Sequence, residues 1–191
     1  MGKLWTWIFA ATLLAATPGF ADNTKTAKWG QVEGWRIAVD RSVGNGCFAS
    51  QQYEDGTSIR IGFDLQKKSI YFMLGNATWK SLEAGKIYQM RFVFDDQRSF
   101  NGELTGLRLG DVVFLDHSDV SLDFAKAFME RSVMRVFYQG TRITSLSLKN
   151  TYAAVTEVAN CQRELTGGIT NSSGSSDPFA NPDGKRDPFA R

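Results

Sequence analysis

Apolar and polar positions alternate most clearly over residues 58–65, where Ile59, Ile61, Phe63 and Leu65 interleave with Ser58, Arg60, Gly62 and Asp64. Period two marks a strand with one buried face and one wet face. Just before it, Asp55-Gly56 marks a tight hairpin from a preceding strand over Cys47 to Tyr53. Trp35 to Val39 reads as an earlier strand. Ile70 to Leu74 is apolar throughout, which predicts a strand buried on both faces and ended by Gly75-Asn76. Ile87 to Phe94 carries Met90, Phe92 and Phe94 on one side. Residues 100–109 and 112–115 read as two more strands about Gly110-Asp111, and 133–138 with 142–148 as a hairpin turning at Gln139-Gly140. Gly102, Gly106 and Gly110, spaced by four among strand signals, suggest bends or bulges.

Two segments switch to helical spacing. Over 118–131, Phe124, Ala125, Phe128 and Met129 form an apolar stripe, with Ser118, Asp119 or Ser121 available as the cap. After Asn150 or Thr151, Ala154, Val158, Cys161 and Leu165 recur at i, i+4, i+7 and i+11, sharing one face. The predicted fold is mainly β: an antiparallel β-sandwich or strongly bent sheet with two packed helices, one disulfide and a disordered C-terminal tail.

The ends differ from the middle. Lys3 precedes the apolar stretch 4–16, Pro18 and Gly19 break it, and Gly19 and Ala21 stand at −3 and −1 of a cleavage site. Residues 1–21 therefore read as a signal peptide. Residues 22–34 read as a flexible lead-in, 35–166 as the β-rich domain, and 167–191 as the tail, rich in Ser, Gly, Asn and Asp. The tail repeats Asp177-Pro178-Phe179-Ala180 as Asp187-Pro188-Phe189-Ala190. Each copy offers an aromatic anchor beside a proline, which limits the entropy lost on binding. Phe179, Phe189, Pro178 and Pro188 are candidate partner-binding residues.

Export changes the reading of the cysteines. Cys47 and Cys161 are the only two, and an even count behind a signal peptide predicts a disulfide formed in an oxidising compartment. The expected location is the periplasm, with onward secretion open.

Composition adds little chemistry. Hydrophobic residues make up 42% and Phe alone fourteen positions, enough for a Phe-rich core. The net charge is +2, and loss of Lys3 with the signal peptide leaves about +1. No basic stripe suits nucleic acid or anionic lipid. No second apolar run predicts a transmembrane segment in the mature chain. The single histidine, His117, lies in Asp116-His117-Ser118-Asp119; neighbours in sequence rarely converge as a triad, and no Gly-x-Ser-x-Gly elbow is present. With Asp111 and Asp123 the same stretch could hold a cation, but its spacing fits neither a zinc signature nor a calcium loop, and an acidic loop capping the helix explains it. Asp95-Asp96 and Glu54-Asp55 sit at turn signals. No catalytic, metal or cofactor residue is assigned. Trp79, in an irregular segment between strands, either covers a sheet edge or lines a ligand groove.

Gly34-Trp35, Gly46-Cys47, Trp79 to Lys86, Ser145 to Leu148, Ala153-Ala154 and Cys161-Gln162 together resemble a loosely defined set of small exported proteins of alphaproteobacteria. Over residues 34–163 the strand-rich body and closing small-residue helix also look distantly like the invasion-associated locus B type. The resemblance implies envelope location and a role at the cell surface or in host contact, and carries no catalytic residue. The expected function is a non-catalytic binding or accessory protein whose partner is an envelope or host protein. One alternative is a small-ligand or lipid carrier, with a cavity lined by Phe63, Phe72, Phe92 or Phe94. The other is a carboxylate-dependent hydrolase of an envelope polymer.

Overall fold

A computed structural model describes residues 25–167. Residues 1–21, expected from the sequence to be a signal peptide, the start of the expected lead-in and the repeated tail motif lie outside these residues. Ten strands form one sheet in the order β1-β2-β3-β4-β5-β8-β7-β6-β9-β10, with every pairing antiparallel. The strands are β1 (Thr26–Val32), β2 (Trp35–Asp40), β3 (Gly46–Gln52), β4 (Thr57–Asp64), β5 (Ser69–Asn76), β6 (Ile87–Phe94), β7 (Arg98–Leu109), β8 (Val112–Ser118), β9 (Val133–Tyr138) and β10 (Thr141–Ser147). The helices are α1 (Leu122–Glu130) and α2 (Thr151–Leu165).

The sheet folds over on β7. Residues 98–105 of this strand pair with β6, whereas 105–109 pair with β8. Phe100 and Leu104 alternate with Gly102 and Gly106 on its inner face. A Cβ on Gly102 would press on the His117 ring, and one on Gly106 would strike the Glu83 carbonyl. The two glycines thus admit close neighbours, while β7 keeps continuous register with β6 and β8, without the bulge the spacing suggested. The folded-over half is then hooked to the first by side chains. Tyr53 Oη donates to the Ser147 carbonyl at 2.8 Å, Thr144 Oγ1 to Asp55 at 3.0 Å, and Trp35 Nε1 to the Lys149 carbonyl at 3.3 Å.

Between the halves lies a Phe-rich core. Phe124 of α1 meets the rings of Phe72, Phe92, Phe94 and Phe100 at centroid distances of 5.2–5.5 Å. Edge-to-face contacts of this kind stabilise by about 0.5–1.5 kcal/mol beyond burial. The α1 cap is Ser121, whose hydroxyl accepts from the Phe124 N–H at 3.2 Å. Ala154, Val158 and Cys161 of α2 are buried, while Leu165 of the same stripe is exposed. Cys161 is bonded to Cys47, with the Cα atoms 6.1 Å apart.

Four expectations need correction. The flexible lead-in is a strand from Thr26 to Val32, whose Ala27, Trp29 and Val32 pack partly on the core. A bulge between Lys28 and Gly30 breaks the alternation that would have shown it. Its hairpin with β2 turns at Glu33-Gly34, both with positive φ (49° and 88°), the backbone of a primed turn. Second, β4 has no wet face: Ser58, Arg60 and Asp64 are buried. Third, β5 does not stop at Leu74 but runs through Gly75 to end on Asn76, and Gly75 lies under the Phe114 ring where no side chain fits. Fourth, Asp116-His117-Ser118 is strand, not a capping loop, and α1 starts later than predicted.

Candidate functional site

The β5–β6 connection builds the site. Asn76 anchors it: its Oδ1 accepts from the Thr78 N–H at 2.9 Å and hydroxyl at 2.8 Å, and its Nδ2 donates to the Asp55 carbonyl at 2.9 Å. The return of the loop is pinned to β7, Gly85 N–H to the Gly106 carbonyl and Gly106 N–H to the Lys86 carbonyl, both at 2.8 Å. Tyr88 Oη accepts from the Glu83 N–H at 2.9 Å. Held at both ends, the loop does not lie flat on the sheet.

Beneath it is an open cleft of about 550 Å³, within the range of ordinary ligand pockets. Trp79 and Leu82 come from the loop, Tyr88 and Met90 from β6, Leu115 from β8, Tyr138 from β9 and Ile143 from β10. Met90 and Leu115 are core residues, so the floor of the cleft is the interior of the sandwich. The Tyr88 and Tyr138 rings meet edge to face at 5.8 Å. The rim is charged. Lys86 pairs with Glu83 at 2.7 Å, and this contact raises the Lys86 pKa. Lys80 is exposed and has no ion-pair partner among the described residues. Glu83 is the one carboxylate among the lining residues.

A second, smaller pocket of about 130 Å³ opens on the outer face of β2, β4 and β5. At its base Arg60 stacks on Phe48, 3.6 Å from the ring centroid, pairs with Asp40 and donates to Tyr71 Oη. Burial alone would raise the Asp40 pKa, but hydrogen bonds from Ser42 and Arg60 and the Arg60 charge hold it below the usual carboxylate range. Burial pushes the Tyr71 hydroxyl well above its ordinary value. Arg60 thus ties Asp40 and Tyr71 together on this face.

The remaining sequence candidates fall apart spatially. Asp116 and His117, adjacent in β8, point to opposite faces. Asp116 accepts from Ser118 on the outer side, and His117 lies inside against Phe124 at 6.2 Å, where burial lowers its pKa. Asp95 accepts from the Ser132 and Val133 N–H groups, Asp96 pairs with Arg135, and Asp55 accepts from Thr57. Phe72, Phe92 and Phe94 pack fully buried against one another's neighbours, and half-buried Phe63 borders a space of only about 30 Å³ under α2. Phe179, Phe189, Pro178 and Pro188 lie outside the described residues. Of the sequence candidates for binding, Trp79 alone is in the cleft. Tyr88, Tyr138, Leu115 and Ile143 were not singled out; an inward tyrosine near a strand end beside a tryptophan-bearing loop is the signal that would find them.

No helix among the described residues is long and apolar enough to cross a membrane. No protein-family model matches the chain, and no curated protein matches it in sequence. Its fold is similar to the crystal structure of invasion associated protein B from Bartonella henselae, with a TM-score of 0.52 and 9% identity over 72% of this chain and 98% of that one.

Proposed function

We propose that this chain is a non-catalytic exported accessory protein of the bacterial envelope that holds a partner protein through the Trp79 cleft. The observation that carries the reading is the cleft itself: an aromatic frame over an apolar floor, open to solvent and rimmed by lysine. Aromatic anchors in such grooves dominate the energetics of protein contacts. The disulfide suits an oxidising compartment, and the shared fold supports a bacterial accessory role. A single carboxylate, already paired with Lys86, speaks for binding rather than for hydrolysis by two facing acids.

The test is affinity capture from the envelope fraction of the source cell, using the full mature chain and its Trp79→Ala and Tyr138→Ala variants. A partner retained by the parent and lost by both folded variants is expected. A partner held equally by all three would overturn the assignment of the cleft. The volume also suits a small apolar ligand, so the purified protein is extracted with organic solvent in parallel. A co-purifying small molecule without a protein partner would replace this reading by the carrier.

A further inference from the structure

We infer that the cleft is a docking site for one of the chain's own Asp-Pro-Phe-Ala copies, bound in cis. The inference rests on the cleft reading above and adds an occupant to it. The chemistry matches position by position. Phe179 or Phe189 supplies a phenyl ring for the floor between Trp79 and Tyr138, and Asp177 or Asp187, two residues earlier, supplies a carboxylate for Lys80, which has no ion-pair partner among the described residues. Proline between them fixes φ and lowers the entropy lost on docking.

Chain length allows it. The N-terminal end of α2 lies at Trp35 and Glu33, and its C-terminal end at Cys47, which bonds Cys161 and donates its N–H to Gln162 at 2.9 Å. Gly167 therefore leaves the fold at the Cys47 end of β3, and the cleft lies beyond the opposite end of β5. Six residue steps along β4 and two strand spacings across place the two ends about 20–25 Å apart. Phe179 lies twelve positions beyond Gly167 and Phe189 twenty-two. An extended chain covers about 40 Å in the shorter case, which leaves length for the path around the sheet.

Tethering at an effective concentration on the order of 1 mM makes weak recognition sufficient. A motif with an intrinsic Kd of about 0.1 mM would fill the cleft roughly 90% of the time and weaken an external competitor about tenfold.

The probe is a synthetic peptide spanning residues 184–191, with its Phe189→Ala counterpart as control. It is titrated against the full mature chain and the full-length Phe179→Ala/Phe189→Ala variant, reading the indole N–H resonance of Trp79. The double variant is expected to show a displaced Trp79 signal that the peptide, but not the control, returns toward the parent position. Apparent affinity for the parent should be about tenfold weaker, and Lys80→Glu in the double variant should weaken peptide binding severalfold. An identical Trp79 signal in parent and double variant, unmoved by peptide, would overturn the inference. A parent signal that changes on dilution would instead assign the tail to a second copy and overturn occupancy in cis. If the tail fails this test while partner capture still depends on Trp79 and Tyr138, the cleft reading stands without it.

Discussion

Replacing Cys47 and Cys161 together by alanine should remove a large share of the stability of this domain. The bond closes a loop of 114 positions. In the chain-entropy model such a loop restricts the unfolded ensemble by about 16 cal/mol/K, or about 5 kcal/mol at 25 °C. Net stabilities of domains are about 5–15 kcal/mol, so the loss is a third or more of the total. The native state should change little. The start of α2 is held separately, because Thr151 Oγ1 donates to the Phe128 carbonyl at 2.7 Å and lies 2.9 Å from the Leu148 carbonyl, and Trp35 holds Lys149. Urea denaturation is the assay, followed by far-UV circular dichroism and tryptophan fluorescence. With a slope of about 2 kcal/mol/M, the midpoint should fall by about 2.5 M. The slope itself should rise, since the unlinked chain exposes more surface on unfolding. A midpoint drop under about 0.5 M at unchanged slope would refute the loop-entropy reasoning. An early, separate loss of helical signal would show instead that the bond acts locally, holding α2 in place.

Two further substitutions probe the buried polar groups. Arg60→Met leaves the Asp40 carboxylate buried without its cation and should cost about 3–5 kcal/mol at pH 7; adding Asp40→Asn should recover much of it, as read from the same denaturation series. Because the folded-state pKa of Asp40 is depressed, its stabilisation is present above the unfolded value near 3.8 and is lost as pH falls through the lower folded value. His117 has the same direction of shift with the opposite charge: burial lowers its pKa from 6.5, so the unfolded chain takes up the proton first. Stability should therefore decline as pH falls from about 6.5 toward the folded value. His117→Asn should flatten that part of the midpoint-versus-pH curve, and an unchanged curve would show that another group sets it.

Most strands were legible because one buried face imposes period two, and both helices because Phe124 and Phe128, or Ala154 and Val158, recur at helical spacing. The disulfide followed from a cysteine count and a compartment. What escaped depends on contacts between distant segments. The bulge in β1 hides its alternation, and Arg60 reads as solvent-facing until Phe48, Tyr71 and Asp40 are seen around it. Gly75 reads as a break until Phe114 is placed on it. The cleft was legible only through Trp79, since its walls come from four strands and a loop whose adjacency is set by where the sheet folds over.

That fold-over confines the ways in which the protein can diversify. Because β7 belongs to both halves, one inserted or deleted residue within it would turn either Phe100 and Leu104 outward or Leu107 and Leu109 inward. The strand therefore tolerates substitution but not change of length. The 77–86 connection, tied at Asn76, Tyr88 and Gly106, has no such register to keep. Descendants of this chain that take different occupants should differ there in length and aromatic content, while the glycines of β7 stay where they are.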